Sequence, residues 1–77
     1  MKNPNFVLAV NRRKQPVKLG EAVAGYAVYR KTLMPDGFSV ETKRVHEFMG
    51  VKDRARDIPA SLHLANQMRD DLNAGIA

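Results

Sequence analysis

The segment Met-Pro-Asp-Gly at residues 34 to 37 joins two runs of β-favouring residues, and it constrains the fold more than any other part of the sequence. Pro35 presets the backbone angle of the first central position of a type I turn, and Asp36 suits the second position. Gly37 can adopt the left-handed conformation that closes such a loop. The sequence therefore predicts one long hairpin, with strands over residues 23 to 33 and 38 to 48.

A loop of residues 35 to 37 predicts a register in which Lys31 lies opposite Glu41. Such an opposite-charge pair across two strands contributes a few tenths of a kcal/mol, roughly. Regular alternation further along the hairpin would put Arg44 on the apolar face. We therefore expect a bulge near Lys43 and Arg44, which would return the charged side chain to the other face.

Residues 20 to 33 also fit a second interpretation, because their apolar side chains recur at helical spacing. A helix there would change the order of elements to βαβα. Gly25 opposes the helix at about 1 kcal/mol relative to alanine, and the β-favouring residues Tyr26, Val28 and Tyr29 follow directly. The strand is the preferred interpretation.

Two further elements complete the predicted fold. Residues 5 to 12 form a strand with Phe6, Leu8 and Val10 on one face, and it ends at the Arg-Arg-Lys-Gln-Pro segment. A helix is predicted over residues 58 to 74, with Asp57 as its N-cap and Gly75 as a left-handed C-cap. Its apolar stripe should cover the sheet: Ile58, Ser61, Leu64, Ala65, Met68, Leu72 and Ile76. The opposite face should be solvated: His63, Asn66, Gln67, Asp70 and Asn73.

The predicted fold class is therefore α+β, with a three-stranded antiparallel sheet packed on one C-terminal helix. The 77 residues suffice for a single small basic domain, residues 1 to 77. By fold analogy the arrangement resembles small modules that lay a three-stranded sheet in the major groove of DNA. Residues 50 to 57 are expected to be a solvated loop. The first strand forms an edge of the sheet, so a homodimer through strand pairing is a further expectation.

The formal net charge of +5 indicates attraction to polyanions. Basic residues fall in four groups: Arg12-Arg13-Lys14, Arg30-Lys31, Lys43-Arg44, and Lys52-Arg54-Arg56. Tyrosines beside cations suit contact with bases and phosphates. We predict a nucleic-acid-binding site formed by Arg12, Arg13, Lys14, Tyr29, Arg30, Lys31, Lys43 and Arg44.

The leading functional hypothesis is a non-catalytic accessory or regulatory protein that binds DNA or RNA through the exposed sheet face, with DNA the favoured ligand. The alternative is a small protein-interaction module or inhibitor that docks on an acidic protein partner. No catalytic constellation, metal-ligand spacing or cofactor motif occurs around His46, His63 or the glycines, so we expect no enzyme, no metal and no cofactor. The absence of cysteine and of a long apolar run predicts a cytoplasmic protein without a membrane segment.

Overall fold

The computed structural model describes residues 3–50 and 57–75, and its strands and helix follow the order β1 (Asn5–Val10), β2 (Gly25–Leu33), β3 (Val40–Met49) and α1 (Asp57–Asn73). The strands form one antiparallel sheet in the order β1-β2-β3, and the helix contacts all three. The predicted α+β fold is confirmed. The βαβα alternative is wrong, because Gly25–Leu33 is a strand.

The loop between β2 and β3 is one residue longer than predicted. The Asp36 carboxylate accepts hydrogen bonds from the backbone N–H groups of Phe38 and Ser39, at 3.0 and 2.8 Å. The Met34 N–H then donates to the Ser39 carbonyl at 2.9 Å and closes the loop. Gly37 has a φ of 87°, so its predicted left-handed conformation is confirmed.

This longer loop shifts the register of the hairpin by one residue. Lys31 lies opposite Thr42 instead of Glu41, and Arg30 lies opposite Lys43. The predicted pairing is therefore wrong, because Asp36 keeps Phe38 in the loop rather than at the start of the strand. The predicted bulge is present one position further along, since Arg44 pairs with Tyr29, His46 pairs with Val28, and Val45 between them has no partner.

The two faces of the sheet are covered by different parts of the chain. We call the face of Phe6, Leu8, Val10, Ala27 and Tyr29 the loop face, and the face of Asn5, Val7, Ala9 and Val28 the helix face. On the helix face, the Asn5 amide donates to Oδ1 of Asn73 in α1 at 2.9 Å. On the loop face, Lys14 reaches over to Glu47, whose carboxylate lies 3.1 Å from its Nζ.

The helix therefore packs on the face opposite to the one predicted. Residues 11–24 fold back over part of the loop face, whereas Val28 is fully buried on the helix face. The predicted apolar stripe of the helix is also partly wrong, because Leu64 is 47% exposed. The most buried positions of α1 are the small residues Ser61 and Ala65, which allow the helix to approach the sheet closely.

The outer edge of β1 is bonded at both ends. The bond from the Lys31 N–H to the Pro4 carbonyl, at 2.9 Å, implies that the backbone groups of Asn5 point away from β2. The Asn73 side chain bonds both of these groups, at 3.0 and 3.1 Å, although the sequence predicted a solvated Asn73. At the other end, the Val17 N–H donates to the Ala9 carbonyl at 3.1 Å. The edge that the sequence left open for pairing is thus occupied at its two ends.

Residues 30–43 form a two-stranded ribbon that starts beside the end of β1, where Arg30 pairs with Asn5, and extends beyond it; we call this ribbon the arm. Every arm residue except Met34 is exposed. We call each cross-strand residue pair of the arm a rung. The arm spans about 14 Å from the rung of Arg30 to the rung of Met34, at about 3.4 Å per residue. The molecule accordingly has principal extents of 44 × 28 × 14 Å.

The residues outside the described ranges include part of the sequence predictions. The predicted solvated loop and the basic group Lys52-Arg54-Arg56 fall there, and so does Ile76 of the predicted apolar stripe. Within the described ranges, no helix has the length and apolar character needed to cross a membrane.

Candidate nucleic-acid interface

The first rung of the arm places two cations directly opposite each other. Arg30 of β2 pairs with Lys43 of β3, and both side chains are exposed. Like charges in this relation destabilise a sheet. The Nζ atom of Lys43 lies 3.6 Å from the Glu41 carboxylate, but this exposed contact compensates little. Among the described residues, Arg30 has no carboxylate partner within ion-pair distance. This rung therefore presents unbalanced positive charge to solvent.

The neighbouring cross-strand pair adds a third cation, which projects on the loop face, opposite to the face of Arg30 and Lys43. Lys31 lies opposite Thr42, and its Nζ atom is 5.1 Å from the centre of the Phe6 ring. Further along the arm on this face, Leu33 pairs with Val40, and these side chains are 52% and 49% exposed. The loop face of the arm thus combines a cation with uncovered apolar surface.

Lys14 and Arg44, two residues of the predicted site, share one carboxylate. Glu47 Oε1 lies 3.1 Å from Lys14 Nζ, and its Oε2 lies 3.6 Å from Arg44 Nε. The hydrogen bond from Lys14 and the nearby positive charges lower the pKa of Glu47. Arg44 also donates from Nη1 to the Lys14 carbonyl at 2.6 Å. Both cations therefore tie residues 11–24 to β3, and their charge is partly neutralised.

Lys14 holds a backbone conformation that is uncommon for a lysine, with a φ of 63°. A non-glycine residue in the left-handed region is disfavoured by roughly 1 to 2 kcal/mol. The contacts of Lys14 with Glu47 and Arg44 offset part of this strain. Lys14 therefore has a structural role, because its contacts hold residues 11–24 against β3.

Arg12 and Arg13 are exposed in the same turn, which Asn11 organises. Its Oδ1 accepts from the backbone N–H groups of Arg13 and Gln15, at 2.9 and 3.2 Å. Its amide donates to Glu21 at 3.2 Å. A hydrogen bond from the Lys18 backbone, together with the one from Asn11, lowers the pKa of Glu21. The two arginines thus stand on an ordered turn that Arg44 holds against β3.

Tyr29 is placed where it cannot stack on a base, which corrects the sequence-based expectation for this residue. Its side chain is only 8% exposed, and its ring stacks on Phe6 at a centroid distance of 5.8 Å. Phe6 and Tyr29 are direct partners on the loop face. The apolar alternation of the first strand was the signal that could have indicated this pairing.

Phe38 is the exposed aromatic residue that the sequence analysis missed. It lies in the loop of the arm and is 84% exposed, although we predicted it on the covered face of the sheet. The Asp36 and Ser39 side chains hydrogen-bond each other beside it, and together with backbone N–H groups they lower the pKa of Asp36. The spacing Asp-x-x-Ser was a usable signal for this four-residue loop.

Opposite charges dominate the sheet and the helix. Residues 3–50 contain eight Lys and Arg and four Asp and Glu, whereas Asp57–Asn73 contains one Arg and three Asp. A surface depression of about 320 Å³ on the helix is lined by His63, Asn66, Gln67, Asp70 and Asp71. No group of three or more His, Cys, Asp or Glu among the described residues is arranged to hold a metal ion. An anionic ligand would therefore favour the sheet side.

Comparison with protein-family models, with curated proteins and with solved structures returned no match for this chain.

Proposed function

We propose that this chain is a non-catalytic nucleic-acid-binding accessory or regulatory protein that contacts phosphates through its arm. The observation that carries the proposal is the rung of Arg30 and Lys43, two exposed cations that face each other across the ribbon. Folding gains nothing from this pair, because like charges directly opposite repel. A phosphate group placed between them would turn the repulsion into two charge-assisted hydrogen bonds.

The surroundings of the rung support a polyanion over a single small anion. On the opposite, loop face, Lys31 follows at the next cross-strand pair, and the turn of Arg12 and Arg13 is held beside β3 by Arg44, so a strand that wraps around the ribbon can meet both sets of cations. A nucleic-acid backbone carries a charge on every nucleotide, so it can contact several of these cations in turn. The arm, exposed on both faces, offers room for such a strand.

The test is a titration of labelled single-stranded DNA, single-stranded RNA and duplex DNA with the full chain. If Arg12, Arg30, Lys31 and Lys43 each contact a phosphate, the log–log salt slope for a single strand is about −2.8. Affinity then falls about 50-fold between 50 and 200 mM salt. The double variant Arg30→Gln/Lys43→Gln should flatten the slope by about 1.4.

A matched control distinguishes binding by the cations of the arm from attraction by the net charge of the chain. The variant Lys18→Gln/Arg69→Gln removes the same number of positive charges from the connection and the helix, away from the arm. We expect its salt slope to stay close to that of the wild type. An equal loss in both double variants would mean that net charge alone attracts the nucleic acid, and it would refute a site on the arm.

A second candidate function rests on a different feature of the arm. Along the outer edge of β3, no backbone group of Val40–Met49 is bonded to another described part of the chain. Leu33 and Val40 beside this edge are about half exposed. An open edge with adjacent apolar side chains suits strand addition by a protein partner, whose acidic side chains would match the cations of the arm.

Proline substitution distinguishes the two candidates. Met34 and Ser39 form a hydrogen-bonded pair, and bonded and non-bonded pairs alternate along the ladder, so the N–H of Thr42 points away from β2. Proline at this position removes that outward N–H, so Thr42→Pro blocks strand addition but keeps the bonds of the hairpin. Unchanged nucleic-acid binding by this variant supports the first function. Undetectable binding of the wild type to all three nucleic acids at tens of micromolar would refute it and leave the protein-docking function.

A further inference from the structure

Phe38 presents an aromatic ring to solvent from an ordered loop. Its side chain is 84% exposed at the tip of the arm, about as far as the hairpin reaches from the packed sheet. An exposed phenylalanine gives the folded state no burial energy, so stability does not account for its presence. The arm that carries it is the same element that carries the unbalanced cations.

The loop holds the backbone of Phe38 in one place. The Phe38 N–H donates to the Asp36 carboxylate at 3.0 Å, and the Ser39 N–H donates to the same oxygen at 2.8 Å. The Gly37 N–H donates to the Met34 carbonyl at 3.0 Å on the other side. A ring on an ordered backbone loses less entropy when it meets a ligand than a ring on a floppy loop.

An exposed ring on an ordered backbone is suited to stacking against the face of a flat aromatic ligand. We infer that the ring of Phe38 stacks on an unpaired nucleobase while the cations of the arm hold the adjoining phosphates. The inference rests on the proposed function, because it assigns a base contact to the same arm. Stacking on an aromatic side chain is a sequence-tolerant way to bind single strands, since every base has a π-face.

The Asp36 carboxylate favours an unpaired base as the ligand of Phe38, rather than a base-pair step of a closed duplex. It lies next to Phe38, it is ionised at neutral pH as an exposed aspartate, and the hydrogen bonds that fix the loop lower its pKa further. Inside a groove this charge would lie between two phosphate backbones and be repelled by both. A single strand has one backbone, which can cross the ribbon from Arg30 on one face to Lys31 on the other and turn away from Asp36.

The test compares Phe38→Ala with the wild type on a mixed-sequence 12-nucleotide DNA, on the RNA of the same sequence, and on the paired duplex. We expect the affinity for the two single strands to fall about 5- to 150-fold. The salt slope should not change, because the substitution removes no charge. Leu19→Ala is the matched control, since Leu19 is also fully exposed but lies in the connection between β1 and β2.

A tryptophan at position 38 gives a direct readout. The chain contains no other tryptophan, so the fluorescence of Phe38→Trp reports only on the tip of the arm. We expect quenching on addition of either single strand, with affinity restored to that of the wild type or better. The melting temperatures of both Phe38 variants should match the wild type, because the ring is not part of the core.

Several outcomes would overturn the inference. Unchanged affinity of Phe38→Ala for strands that the wild type binds would leave only phosphate contacts. A loss of affinity confined to the duplex would place the ring between paired bases. A sedimentation coefficient that differs between Phe38→Ala and the wild type without nucleic acid would mean that the tip is a contact between copies of the chain. A Phe38 effect without any effect of Arg30→Gln/Lys43→Gln would refute the proposed phosphate contacts while retaining the stacked base, so the two failures are distinguishable.

Discussion

The arm and the packed part of the sheet use the same two strands, yet they treat charge and apolar surface in opposite ways. In the packed part, which we call the body, Lys14 and Arg44 share the carboxylate of Glu47, and Val28 is fully buried. In the arm, Arg30 faces Lys43, and Phe38 is almost completely exposed. The transition occurs between Arg44, which bonds residues 11–24, and Lys43, which faces Arg30.

This difference separates residues that are explained by folding from residues that are not. Apart from the strained backbone of Lys14, the prominent features of the body reduce the free energy of the folded state, through burial, ion pairing or closed backbone bonds. In the arm, the Asp36 bonds stabilise the loop, but the pair of Arg30 and Lys43 raises that free energy and the exposed Phe38 does not lower it. Local departures from the rules of stability are typical of functional sites. The comparison predicts that body substitutions change stability and that arm substitutions change binding.

The largest effect should follow removal of α1. A chain that ends at residue 56 loses the cover of the helix face and the side chain that bonds the edge of β1 at Asn5. We expect no cooperative thermal transition by circular dichroism. By contrast, replacing residues 31 to 42 with Asn-Gly should preserve a sharp transition. A truncated chain that still melts sharply would show that the body does not depend on α1.

A smaller effect is expected at two glycines with different surroundings. A Cβ atom at Gly25 would lie 2.4 Å from the Phe48 carbonyl oxygen and 2.8 Å from the Met49 Cα atom. Gly25→Ala should therefore lower the free energy of unfolding by about 2 to 3 kcal/mol, because backbone must move. Gly37→Ala meets no atom within 4 Å, but its φ of 87° should cost about 1 kcal/mol. Urea denaturation measures both, and a reversed order would contradict the division between body and arm.

Two valines provide the next comparison. Val28 is fully buried, so Val28→Ala should destabilise the chain by about 2 kcal/mol through lost burial and the cavity left behind. Val40 in the arm is 49% exposed, and Val40→Ala should cost less than about 0.5 kcal/mol. The measurement is again the free energy of unfolding in urea. Equal losses at the two positions would mean that the arm is packed in solution, against another part of the chain or another copy.

The smallest effect concerns the pH dependence of the body. Because its ion pairs lower the pKa of Glu47 in the folded state, they stabilise the fold above the ordinary glutamate pKa of about 4.3. This contribution is lost as the pH falls through the lowered folded-state pKa. Glu47→Gln should lower the urea midpoint slightly at pH 7, and this difference should shrink as the pH falls through the lowered folded-state pKa. Lys14→Gln should act in the same direction, and in the double variant the two losses should not add.

The predictable parts of the fold are those with local signals. Pro35, Asp36 and Gly37 predicted the hairpin, and Asp57 and Gly75 predicted the ends of the helix to within one residue. The packing face involves a contact between residues far apart in the sequence, whereas the register depended on a local bond inside the turn that the sequence analysis did not use. The bonds of Asp36 to Ser39 moved every pair of the hairpin by one, and the bonds of Asn73 to Asn5 placed the helix on the other face.

The candidate site divides in the same way. The sequence alone indicated exposed cations at Arg30, Lys31 and Lys43, because charged residues in a short chain remain at the surface. It could not show that Lys14 and Arg44 are held by Glu47, since that contact requires residues 11–24 to fold back over the loop face. Phe38 was missed because apolar alternation was extended one residue too far into the loop.

The bonds between Asn5 and Asn73 also affect how the protein is made. They join residues that are 68 positions apart, so one end of β1 receives its partner only after the helix has been synthesised. At roughly 5 to 20 residues per second, the ribosome needs roughly 3 to 14 seconds to cover that distance. During this interval the outward N–H and C=O groups of Asn5 are available to other nascent chains. The period of greatest risk of intermolecular strand pairing at β1 therefore falls during translation, before the folded protein exists.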